Sequence, residues 1–165
     1  MRFTLVRLDA THERHPFHCA SPALDQYFRS QITQDVRRHV AVAFVAVSDA
    51  GDLAGFYTLS AASIVLGDLP AQAARKLPRY PTVPAVRLGR LAVDTRFAGQ
   101  GLGGALLVNA LARAASADIG AYAMTADAKD EAAAAFYRHH GFLAFERQSL
   151  VLFRPLTREM AGWLT

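Results

Sequence analysis

Residues 97–111 read FAGQGLGGALLVNAL, with four glycines, Gly99, Gly101, Gly103 and Gly104, in six positions, just ahead of an apolar helical pattern. Inside a helix each glycine costs about 1 kcal/mol relative to alanine, so their density at a helix start needs a reason. VRLGRLAVD (86–94), immediately upstream, alternates like a strand. The order strand, glycine turn, helix is that of a phosphate site. The first amides of a helix lack intrahelical partners, its dipole favours anions, and glycines let a pyrophosphate approach the backbone. Two common phosphate loops do not fit. A P-loop ends in Gly-Lys-Ser/Thr, where this chain has Gly103-Gly104-Ala105. Gly99-x-Gly101-x-x-Gly104 satisfies the dinucleotide string, but it follows a third or fourth strand, and Asp118 falls in a loop rather than at a strand end. A tight turn without ligand remains the alternative.

On either side, the pattern predicts alternating elements. RFTLVRLD (2–9) reads as a strand, followed by a loop with His12, His15, His18 and Cys19. Ser21-Pro22 is a helix start, serine as N-cap and proline at the first position. Leu24, Phe28, Ile32 and Val36 then predict one helix to about Arg37. VAVAFVAVS (40–48) and LAGFYTLSAASIVL (53–66) are strands joined by the turn residues DAGD. LPAQAARKLPRYPTVPA, with four prolines, predicts a short helix and an irregular connection. The helix after the glycine loop spans roughly 102–115, AYAMTADA (121–128) is a strand, EAAAAFYRHH (131–140) a helix with Gly141 as its stop, and FLAFER and SLVLFRPL two final strands. The order β-α-β-β-β-α-β-α-β-β defines one α/β domain over residues 1–165, on a mixed sheet flanked by helices.

Composition narrows the class. No apolar run approaches the roughly 20 residues of a membrane helix, and the N-terminal MRFTLVRLDATHERHPF is charged where a signal peptide would be apolar. A single cysteine, Cys19, excludes an internal disulfide. A cytoplasmic protein is expected. Lys plus Arg outnumber Asp plus Glu by 18 to 14, which is compatible with an anionic partner but does not specify one. The histidine and cysteine loop lacks a second ligand set, so no metal site is expected. His139-His140 at a helix end is read as capping.

Gly99-Gln100-Gly101-Leu102-Gly103 after LGRLAVD resembles the pyrophosphate loop of the GNAT acyl-CoA N-acetyltransferases, and Phe136-Tyr137-Arg138-His139-His140-Gly141-Phe142 resembles their C-terminal motif. The two stand in the family's order and spacing, and the likeness covers nearly the whole chain. The resemblance implies that the sheet contains two splayed parallel strands, here RLAVD and AYAMTADA, with acetyl-CoA between them. By resemblance the backbone of Leu91, Ala92 and Val93 would hold the pantetheine and acetyl group, and the amides of Gly99, Gln100, Gly101, Leu102, Gly103 and Gly104 the pyrophosphate, with Ala98 and Phe136 as further cofactor-binding positions. Two positions depart from the family. Ala98 stands where Arg or Gln is usual, with Arg96 nearby, and Asp130 stands where asparagine is frequent.

Acetyl transfer needs a neutral amine, a polarised thioester carbonyl and a proton for the departing thiolate. By resemblance Tyr137 supplies that proton. The alternative for Tyr137 is a core residue of an amphipathic helix. Asp127, Glu131 and Glu146 are the available carboxylates for a general base, and a low-pKa amine would need none.

LDQYFRSQITQDVRRHVAVAFVA, GFYTLSAASI, LPRYPTVPAVRLGRLAVD and DAKDEAAAAFYRHHGF together are similar to the GNAT toxins of type II toxin–antitoxin pairs. That likeness implies acetylation of the α-amino group of aminoacyl-tRNA, a block of translation, a ribbon-helix-helix antitoxin and a homodimer. Arg37, Arg38, Arg75, Lys76, Arg79, Arg87 and Arg90 are the candidate tRNA contacts; for the helical pair a solvated face is an equal alternative, and Arg90 is also a candidate cofactor contact. A housekeeping GNAT acting on a small amine or protein N-terminus, or a non-catalytic acyl-CoA-binding module, is the alternative function.

Overall fold

A computed structural model describes residues 2–164. Seven strands form one mixed sheet in the order β1-β2-β3-β4-β5-β7-β6. They are β1 (Phe3–Arg7), β2 (Val42–Ser48), β3 (Leu53–Val65), β4 (Thr82–Val93), β5 (Ala123–Asp127), β6 (Leu143–Phe145) and β7 (Gln148–Pro155). The helices are α1 (Pro22–Gln26), α2 (Ile32–Arg37), α3 (Ala71–Ala74), α4 (Leu102–Ser116) and α5 (Glu131–His139). The β4–β5 ladder is parallel, with Ala85 opposite Ala123 through Leu88 opposite Ala126. The backbone falls into two compact units: residues up to Ser60 with Gly89–Ala110, and Ala61–Leu88 with the chain from Leu111 onward.

In the first unit, β1, β2 and the start of β3 form an antiparallel meander. Its core gathers Phe17, Phe28, Ile32, Val45 and Phe56, with the rings of Phe28 and Phe56 stacked 4.3 Å apart. The helix expected over 21–37 is present but not uniform: a π-helical turn, Tyr27–Gln31, separates α1 from α2, and the Ile32 amide reaches back to the Tyr27 carbonyl. The cause lies in the spacing. Leu24, Phe28, Ile32 and Val36 recur every four residues, against 3.6 per α-helical turn. One widened turn takes up the drift and keeps all four against the same core. Gly55 in β3 admits α4 closely, since a Cβ there would lie 2.9 Å from Leu106 and 3.0 Å from the Ala92 carbonyl.

The second unit is built on β5 and β7, paired antiparallel from Ala123–Pro155 to Asp127–Val151. β4 starts at Thr82, earlier than its prolines suggested. Pro84 is exposed and precedes the parallel ladder, so its missing N–H costs no pairing there, while Val83 and Ala85 turn inward. Ile64, Leu69, Val83, Ala85, Ala123 and Phe153 close this core. Among the described residues no helix is long and apolar enough to cross a membrane.

Candidate active site

The glycine loop belongs to the first unit and is anchored just before the glycines. Asp94, 1% exposed, ends β4 by accepting hydrogen bonds from the amides of His18 and Arg96 and from the Arg96 Nε, at 2.8–3.0 Å. Burial pushes its carboxyl up, but these bonds and the Arg96 charge outweigh it and hold the pKa below the ordinary 3.8. Phe97 is buried with its ring edge-on to Phe3. Beyond this anchor the chain is exposed from Ala98 to Gly101. Gly99 and Gly101 both sit at φ +78°, the left-handed region where a side chain is strained. An added Cβ at either would meet nothing within 4 Å, so the glycines serve the backbone turn and leave the space beside it open. Leu102 then enters the core and starts α4, with Leu106 and Leu107 fully buried one turn on. Gly103 and Gly104 lie in the first turn of α4, where amides lack intrahelical partners. An exposed left-handed turn leading into those amides fits a pyrophosphate. Leu91 and Val93 are half-buried, and Ala92 packs inward. Arg96, the neighbour of the departure at Ala98, is committed to Asp94 and leans towards Asp52.

Tyr137 stands in the second unit, on α5. Asp130 is the N-cap of that helix, its carboxylate accepting from the Ala133 amide at 2.8 Å. The second departure from the family pattern is thereby explained, because aspartate and asparagine cap equally well. The other end is locked three ways. Gly141 takes φ +86°, the His140 Nδ1 donates to the Phe136 carbonyl at 2.9 Å, and Arg154 donates to the His140 carbonyl at 2.7 Å. Between these caps Tyr137 is 8% exposed, its ring against Phe136 and Phe142. Burial, with a further contribution from the charge of Asp127, pushes the phenol up to about 12. It is therefore protonated throughout the neutral range.

The other expected residues separate into exposed cations and cations held by an acidic or aromatic partner. Arg37 and Arg38 are exposed at the end of α2 in the first unit, and Arg75, Lys76 and Arg79 are exposed around α3 in the second. Arg87 is paired with Asp127 at 2.7 Å. Arg90 lies over the ring of Tyr27, 3.9 Å from its centroid, and the Tyr27 hydroxyl donates to Asp35 at 2.8 Å. Of the possible bases, Glu131 approaches Arg138 at 3.5 Å at the helix surface, whereas Asp127 and Glu146 line one cavity of the second unit. In the loop before α1, the His18 ring and the Cys19 amide both bond Asp25, which ties that loop to the helix.

Residues 39–143 match the acetyltransferase (GNAT) domain, and the chain belongs to that family. It is 36% identical over 128 residues, 76% of this chain and 75% of the relative, to a tRNA-acetylating toxin of Mycobacterium tuberculosis (strain ATCC 25618 / H37Rv). Among solved structures it is similar to AtaT complexed with acetyl-methionyl-tRNAfMet, with a TM-score of 0.88 and 27% identity over 99% of this chain and 100% of that one. It is likewise similar to AtaTR bound with AcCoA, with a TM-score of 0.81 and 28% identity over 99% and 98% of the two chains.

Proposed function

We propose that this protein is a toxin that moves an acetyl group from acetyl-CoA to the α-amino group of aminoacyl-tRNA and so blocks translation. The likeness to a tRNA-acetylating toxin over three quarters of both chains carries the substrate. The protonated phenol of Tyr137, fixed between two helix caps, supports the chemistry.

Acetyl-CoA supplies an acetyl group activated as a thioester. The amides from Gly99 to Gly104 and the positive end of α4 would neutralise its pyrophosphate, and the backbone of Leu91, Ala92 and Val93 would hold its pantetheine arm. In the transfer a nitrogen–carbon bond forms and the carbon–sulfur bond breaks. The proton lost by the amine passes to solvent, and Tyr137 gives its proton to the departing sulfur. An α-amine whose carboxyl is esterified has a low pKa and presents a free lone pair near neutrality. Exposed Arg37, Arg38, Arg75, Lys76 and Arg79 contact tRNA phosphates. The toxin works in the cytoplasm as a homodimer, and a ribbon-helix-helix antitoxin neutralises it. In a cell-free translation system the wild-type protein should stop synthesis only when acetyl-CoA is present, and Tyr137→Phe should not. Inhibition that is independent of acetyl-CoA would overturn the proposal.

A further inference from the structure

The second unit holds a cavity of about 560 Å3 whose walls follow from strand alternation. Val83, Ala85 and Arg87 share one face of β4, Ala123, Thr125 and Asp127 one face of β5, and Phe153 and Val151 one face of β7. The registers align them: Ala85 with Ala123, Arg87 with Thr125, Thr125 with Phe153 and Asp127 with Val151. One end of this face is apolar core. Towards the C-terminal end of β5 it turns polar, and Arg87, Thr125 and Asp127 line the open space. Ligands of parallel strands collect at this end.

The polar end has a definite chemical character. Three carboxylates, Asp68, Asp127 and Glu146, line the cavity with two cations, Arg87 and Arg147, and the guanidinium of Arg87 is committed to Asp127. A carboxylate held by one arginine keeps lone pairs for a second donor, and an amine is such a donor. Ile64, Val65 and Phe145 offer apolar surface beside it, as a ligand carrying both an amine and a side chain requires. Asp127 is also the residue whose charge reaches the phenol of Tyr137.

We infer that this cavity seats the aminoacyl end of charged tRNA, with Asp127, held in place by Arg87, accepting a hydrogen bond from the α-amine. An amine that donates its N–H to Asp127 keeps its lone pair for attack. The inference rests on the tRNA-acetylating function proposed above and adds the seat of the acceptor and the residue that orients it.

The test uses the full chain, labelled acetyl-CoA and a pool of charged tRNA. Asp127→Asn should raise KM for charged tRNA about tenfold or more, the loss expected for a hydrogen bond to a charged group. Acetyl-CoA binding, read by calorimetry, should be unchanged, and Asp127→Glu should recover part of the loss. Ser63→Trp, an exposed position on the cavity wall, should block transfer while retaining acetyl-CoA binding and Tm. Wild-type kcat/KM for charged tRNA in both Asp127→Asn and Ser63→Trp would overturn the inference and leave the substrate assignment intact. A wild-type protein that labels no charged tRNA would overturn both.

Discussion

The carboxylate of Asp127 and the phenol of Tyr137 are electrostatically coupled, and the coupling opposes ionisation of the tyrosine. Together with burial, which contributes more, it pushes the phenol up to about 12. Asp127 is itself fixed by the 2.7 Å bond from Arg87. Spectrophotometric titration, taken as the difference between wild type and Tyr137→Phe, should show this phenol ionising near 12 rather than 10. Asp127→Asn should move that transition to lower pH, because it removes a negative charge. An unmoved transition would show that burial alone sets it.

The glycine loop gives a binding prediction. Gly99→Ala and Gly101→Ala each place a Cβ on a backbone at φ +78°, at a cost of about 1–2 kcal/mol for keeping the left-handed turn. The Cβ meets no protein atom, so the fold should survive. Coenzyme A affinity, measured by calorimetry, should fall about tenfold or more in the double variant. An unchanged Kd would remove these two glycines from the pyrophosphate site.

Asp130→Ala should lower stability by about 1 kcal/mol, the usual worth of an N-cap, and Tm by about 2–4 °C for a chain of this size. Asp130→Asn should restore both, since the Ala133 amide needs only a side-chain oxygen. Thermal unfolding of the pair distinguishes a cap from a charge effect.

Acid should loosen the anchor before the glycine loop. The folded-state pKa values of Asp94 and Asp25 lie below the ordinary 3.8. Their contribution is therefore present above about 3.8 and is lost as pH falls through the depressed values. Denaturant titrations from pH 6 downwards should show wild-type stability falling below about pH 4. In Asp94→Asn the drop should be smaller, from a lower starting stability. A drop of equal size in the variant would place the acid-sensitive group elsewhere.

Exposed Arg37 and Arg38 should act on tRNA through charge alone. Reversing both to glutamate should weaken tRNA binding and reduce the steepness of its salt dependence, by about 0.7–0.9 for each phosphate that the protein no longer neutralises. An unaltered slope would leave this end of α2 a solvated surface.

Most elements were legible because their signals are local. Ser21-Pro22 opens α1, Gly51 turns the β2–β3 hairpin at φ +89°, and Gly141 ends α5 at φ +86°. The glycine loop and the Phe136-Tyr137 motif are legible in the sequence for the same reason. What could not be read depends on partners distant in sequence. Gly55 looked like an ordinary strand residue until Leu106 and the Ala92 carbonyl came within 3.0 Å of its missing Cβ. Arg87 read as a free cation, yet its partner Asp127 lies forty residues on. Arg90 could not be oriented by alternation, and the ring of Tyr27 holds it. Asp130 carries a local signal of its own, an aspartate directly before EAAAAFYRHH, where a helix N-cap belongs.

The most direct measurement incubates the purified protein with labelled acetyl-CoA and either charged or uncharged tRNA, with Tyr137→Phe in parallel. Label should accumulate on charged tRNA alone, be released with the acetylated amino acid when the ester is hydrolysed, and fall to near background in Tyr137→Phe despite retained acetyl-CoA binding. Label on uncharged tRNA, or an undiminished rate in Tyr137→Phe, would contradict the acceptor and the acid respectively. No label on any tRNA, with acetyl-CoA still bound, would leave a GNAT acetyltransferase whose acceptor is another amine.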